Sequence, residues 1–146
     1  MKHRFAALCS AILLLSFFVP QAPAQTAADK VAAEKSGEGI VNAFGTRKYK
    51  LVWDQMTSQW FKSRVTEEAF LANLSMGRAQ LGAMQSTKLV STDYATQDPS
   101  SGYQGSIYAM MFRSKYASTD IFERIVVIKD GDGNFRLSGF FATPAP

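Results

Sequence analysis

The chain has 146 residues, 47% of them hydrophobic, with 16 Lys and Arg against 12 Asp and Glu, a formal net charge of +4, and a single cysteine and a single histidine. That length allows one domain with a real core and is short for two. One cysteine excludes an internal disulfide framework, so burial of apolar side chains must hold the fold.

Lys2, His3 and Arg4 form a basic head, residues 5–19 an apolar run, and Pro20-Gln21-Ala22-Pro23-Ala24 a small-residue A-x-A ending. This is the pattern of a secretory signal peptide, residues 1–24, cut after Ala24. The run is shorter than the about 20 residues a spanning helix needs, so no stable membrane anchor is expected after cleavage. Cys9 sits too early in the run for a lipidated leader, whose apolar region is roughly 7–15 residues. Cleavage removes the only histidine and the only cysteine, and +4 less the charges of Lys2 and Arg4 leaves +2. The expected location is the periplasm or the exterior, and the alkaline balance is partly a targeting feature rather than a sign of nucleic-acid binding.

In the mature part, residues 25–46 form an N-terminal helical segment, and 47–146 the rest of a single domain. Ala33, Gly37, Ile40, Val41 and Phe44 recur at helical spacing, although Gly37 and Gly39 each cost about 1 kcal/mol relative to alanine. Gly45-Thr46-Arg47 breaks that helix. Tyr49, Val52, Trp53, Met56 and Trp60 then mark a second helix with an apolar stripe. Thr66 followed by Glu67 and Glu68 reads as an N-cap with carboxylates at the positive end of the dipole. The third helix carries Phe70, Leu74, Arg78 and Leu81 on one side and stops at Gly82.

Beyond Gly82 the period changes to two, and four strands are predicted over 87–94, 104–116, 119–129 and 134–142, the first being the weakest. Residues 98–102 read as a loop and 130–133 as a hairpin turn. The expected fold is α+β, about three N-terminal helices packed on a curved four-stranded antiparallel sheet.

Within this pattern stand Trp53-Asp54, Arg78-x-x-Leu81-Gly82, Phe122-Glu123-Arg124-Ile125-Val126 and Asp132-Gly133-x-Phe135-Arg136-Leu137-x-Gly139-Phe140. In that order and spacing they resemble the bacterial exported family called domain of unknown function 4019, over the stretch from Trp53 to the end. That family typically has tryptophan where Phe135 stands and often a hydroxyl-bearing aromatic where Phe140 stands. The resemblance implies a cystatin-like or nuclear-transport-factor-2-like (NTF2-like) fold and brings no activity with it.

Without histidine or cysteine in the mature chain, neither a Ser-His-Asp nor a Cys-His nucleophile nor an ordinary zinc site can be built. No cofactor and no metal are expected. Asp130-Gly131-Asp132-Gly133-Asn134 imitates the start of a calcium loop, but Phe135 replaces the glycine and Phe141 the bidentate glutamate, so a turn is the better reading. Basic residues are scattered among acids, with no stripe fit to read nucleic acid.

Arg78 on the apolar side of a helix and Glu123 between Ile121 and Ile125 need partners. They are expected to pair across the helix-sheet interface, as a structural bridge or as the polar floor of a ligand pocket. Tyr103, Tyr108, Met110, Phe112 and Tyr116 are the candidate partner-binding surface, and residues 93–102 a candidate protruding loop.

The leading expectation is a non-enzymatic periplasmic module that binds a protein partner in the cell envelope, most concretely an immunity or inhibitor protein acting on a toxin or hydrolase. The alternative is a small-molecule carrier or sensor in which Arg78 grips a small anionic ligand. A third option is an accessory envelope or stress protein. Folds of this type also allow a homodimer through the sheet.

Overall fold

The computed structural model describes residues 24–146. The signal-peptide expectation lies, Ala24 apart, outside the described residues.

Helix α1 spans Ala27–Gly45, and its first turn is capped by Thr26, whose side chain accepts from the Asp29 N–H at 3.0 Å. The stripe Ala33, Gly37, Ile40, Val41 and Phe44 is buried, as its spacing predicts. Glycine at 37 lets the helix lie close on the sheet: a Cβ there would meet the Met110 sulfur at 2.5 Å.

The second predicted helix is broken in two. A short turn α2, Tyr49–Leu51, widens into a π-helical turn over Val52–Met56. Thr57 is then extended and pairs in parallel with Leu137, while Ser58 N–H donates to the Leu137 carbonyl at 2.9 Å. A distant strand edge thus satisfies backbone groups that a continuous helix would have used internally. Ser58 caps the next short helix, α3, Gln59–Lys62, through Phe61 N–H. Helix α4, Glu67–Arg78, has the Thr66 cap and acidic first turn read from the sequence. The chain then turns at Gly82, whose φ of +74° and close approach to Ala117 favour glycine.

The sheet runs in the order β1-β2-β3-β4, antiparallel throughout: β1 Met84–Asp98, β2 Tyr103–Tyr116, β3 Asp120–Lys129 and β4 Phe135–Pro144. The architecture is therefore α+β, with the helices packed on one face of a four-stranded antiparallel sheet. β1, expected to be short, is the longest strand. Three register irregularities interrupt its alternation, after Met84, Leu89 and Ala95, which hides its period in the sequence. Residues 93–98 consequently belong to the strand, and only the tip at 99–102 turns, so the region does not protrude as a free loop.

The core lies between α1, α4 and the inner sheet face. Phe44, Phe70, Tyr108, Met110, Phe112, Ile125 and Val127 are all but excluded from solvent.

Candidate binding site

The sheet has two differently covered faces, and each carries a hollow. On the inner, helix-covered face Arg78 closes α4 and reaches β3. Its Nη2 donates to Glu123 Oε1 and its Nη1 donates to Tyr116 Oη at 2.6 Å, while its guanidinium lies 4.9 Å from the centroid of the Phe44 ring. Glu123 is fully buried and Arg78 nearly so. The two residues singled out by charge on apolar faces are brought into one buried ion pair. Arg78 also forms part of the wall of a hollow of about 330 Å³ between α4 and the end of β4, with Leu74, Ile121 and Phe140.

Burial, and then the negative charge of Glu123, push the Tyr116 phenol up to about 12. A tyrosine normally ionises near 10. Because the folded value is the higher one, the stability this group contributes is complete below about pH 10 and is lost as pH rises through 12. Spectrophotometric titration should therefore show a phenol ionising about 2 pH units late. Tyr116→Phe should remove that late ionisation and flatten the loss of stability between pH 10 and 12; an unchanged titration would refute the assignment.

The outer face is shaped by α3, which straddles the β4 edge. Phe61 turns inward, its ring 6.1 Å from Phe70 and 6.5 Å from Phe140. Trp60 turns outward, with its ring 5.3 Å from Tyr103 and the Arg64 guanidinium 4.3 Å above it. Arg64 Nη2 donates to the Ser101 carbonyl at 2.7 Å, and Tyr103 Oη donates to the Lys129 carbonyl at 3.1 Å. The β1–β2 tip therefore leans across the outer face towards α3. Gly105 makes room for it: its φ is +149°, and a Cβ there would strike the Tyr103 ring. Between tip, α3 and sheet lies an open groove of about 710 Å³, with Ile107, Ala109, Val126 and Ile128 on its floor and the exposed Phe141 at its side.

The turn at 130–134 uses its carboxylates otherwise than as a metal loop. Asp132 accepts two hydrogen bonds from Arg136, both at 2.7 Å, and one from Asn134 Nδ2 at 2.9 Å. Asp130 accepts from Arg136 at 3.2 Å. Arg136, and after it Asn134, holds the Asp132 carboxyl well below the usual carboxylate range. Among the described residues no group of three or more His, Cys, Asp or Glu is placed to hold a metal ion.

The proposed partner-binding surface needs correction. Tyr108, Met110, Phe112 and Tyr116 point to the inner face and are buried at 0%, 0%, 1% and 4% exposure, so they are core rather than surface. Period-two alternation shows which residues share a face, not which of two apolar faces the helices cover. Tyr103 alone of that set lies on the outer face, partly exposed beside the groove. Trp60, Arg64, Ile107 and Ile128 are not among the site residues expected from the sequence; the second apolar row of β2 and β3 was the signal for the two isoleucines, and nothing local marked Trp60 and Arg64.

None of the described helices is long and apolar enough to cross a membrane. Comparison with curated proteins and with solved structures finds no match to the chain. A family model does match, covering residues 37–140, and by that match the chain belongs to the family described as protein of unknown function, DUF4019.

Proposed function

We propose that this chain is an exported, non-enzymatic binding module whose outer groove holds part of a protein partner in the cell envelope. The observation that carries the reading is the groove itself. Its volume of about 710 Å³ falls within the roughly 300–1,000 Å³ of clefts that hold ligands. Its wall combines a tryptophan, a tyrosine and an arginine, the side chains that most often anchor protein interfaces. Residues 24–146 contain neither histidine nor cysteine, which favours binding over nucleophilic or zinc chemistry. The basic head and apolar run before Ala24 support export. An immunity or inhibitor role towards an envelope toxin or hydrolase is the most concrete form of this reading.

The inner hollow favours a second reading, a small-molecule carrier with Arg78 facing an anionic ligand. It ranks lower because Glu123 and Tyr116 already engage both Nη atoms of Arg78.

Val126 is half-buried on the groove floor, so Val126→Arg fills the groove without entering the inner core. Immobilised native protein and the V126R variant should be exposed side by side to envelope extracts, with retained proteins identified by mass spectrometry. The native protein is expected to retain one partner in stoichiometric amount, and V126R at least about tenfold less, a difference of 1.4 kcal/mol or more in binding. Equal retention by both, or none by the native protein, would remove the groove as the binding site.

A further inference from the structure

The two hollows meet at one strand edge. Phe140 and Phe141 line both of them, so the end of β4 is the ridge between the outer groove and the inner hollow. Among the described residues the outer side of β4 is occupied at Phe135, whose carbonyl accepts from Ser36 Oγ at 2.8 Å, and at Leu137, where Thr57 and Ser58 pair before the chain turns away into α3.

Strand register tells which backbone groups the remaining edge presents. Ala145 N–H donates to the Asp120 carbonyl at 3.0 Å, which makes that pair a hydrogen-bonded one. Bonded and non-bonded pairs alternate in an antiparallel ladder. Thr143, Phe141 and Gly139, opposite Phe122, Arg124 and Val126, therefore bond inward to β3. The N–H and C=O of Phe140 and Ala142 point away from the sheet. Among the described residues no backbone or side-chain group bonds them.

The two edges of the sheet are treated differently. β1 carries three irregularities and Lys88, devices that discourage pairing with another chain. Residues 139–143 of β4 carry no charge, and Phe141, Ala142 and Thr143 are exposed.

We infer that the edge of β4 at Phe140 and Ala142 receives an extended segment of a partner polypeptide as an added fifth strand. This rests on the reading of the protein as a binding module and names how it would bind. A strand laid there sends alternate side chains to opposite faces, one set into the outer groove and the other into the inner hollow. Main-chain bonds to Phe140 and Ala142 supply affinity, and the two hollows supply selection. Both hollows have largely apolar walls, so apolar residues suit both rows of the segment. Arg124 lies on the outer face opposite Phe141 and has no ion-pair partner among the described residues, so an acidic residue suits the outer row.

The probe is a library of random eight-residue peptides displayed on phage and selected on the purified protein. Enriched peptides should be apolar in both rows with an acidic residue in the outer one, slow hydrogen exchange at the Phe140 and Ala142 amides, and bind Ala142→Pro at least about tenfold more weakly. That substitution removes an outward donor and leaves the inward bonds of Phe141 and Thr143 in place. Should it fail to fold, the exchange measurement on the native protein decides alone. Peptides that shift the amide signals of Ile107 and Ile128, leave Phe140 and Ala142 unprotected and ignore A142P would overturn the added strand while upholding the groove. An empty selection overturns the added strand, and the envelope-extract comparison then shows whether the groove reading falls with it. Concentration-dependent protection of the two amides without peptide, with a dimer in sedimentation, overturns it in favour of a second copy of the chain.

Discussion

Replacing Glu123 with alanine is expected to lower the free energy of unfolding by about 3–5 kcal/mol, because it strands the Arg78 charge in the interior. Arg78 would keep its bond to Tyr116 Oη and its place over the Phe44 ring, neither of which carries a compensating negative charge. Domains of this kind are stable by only about 5–15 kcal/mol, so the variant should be marginal. Glu123→Gln, which keeps the shape and removes the charge, should fall between native and alanine. The double variant Arg78→Met, Glu123→Leu should recover most of the loss, since an apolar pair avoids the desolvation that the ion pair pays for. Chemical denaturation of the native protein and the three variants measures these differences. A loss below about 1 kcal/mol for Glu123→Ala, the range of exposed pairs, would show that the pair contributes no more than a surface contact.

Phe70→Ala should be comparably damaging, at about 3–5 kcal/mol. Phe70 is fully buried, and its ring centroid lies 5.3 Å from that of Trp53, 5.7 Å from Phe140, 6.1 Å from Phe61 and 6.4 Å from Phe44. One side chain thus ties α4 to α1, to the π-helical turn, to α3 and to β4. Its removal opens a cavity that four segments would have to close together, and thermal unfolding should fall by roughly 10–20 °C. Met76→Ala on the same helix is the control. Met76 is 73% exposed, and its loss should stay within about 0.5 kcal/mol. Similar midpoints for the two variants would contradict the packing described.

The parts of the fold that could be read beforehand are those whose cause is local. The α1 stripe from Ala33 to Phe44 and the Thr66 cap arise from neighbours in sequence, and both appear as read. The pairing of Arg78 with Glu123 was legible for another reason: a charge on an apolar face has few ways to be solvated. What could not be read depends on distant residues. The break at Thr57 exists because Leu137 offers a strand edge to it, and no neighbouring residue announces that. The inner and outer rows of β2 were equally apolar on paper, with Tyr108, Met110 and Phe112 against Ile107, Ala109 and Met111. Only the placement of α1 on one of them separates core from groove, and that choice moved four residues from the expected surface into the interior.

Trp60 and Phe61 are consecutive, yet one faces the outer groove and the other the core. Neighbouring side chains on a helix diverge by about 100°, so this division depends on the phase of a helix only one turn long. Ser58 sets that phase at one end, by its bond from Phe61 N–H, and Arg64 holds it at the other, by its reach to Ser101. Deleting or inserting one residue between them would rotate both rings out of place at once. The spacing from Ser58 to Arg64 is therefore a ruler: an occupant that levers Trp60 aside must also disturb Phe61, so the groove and the interior answer to the same short hinge.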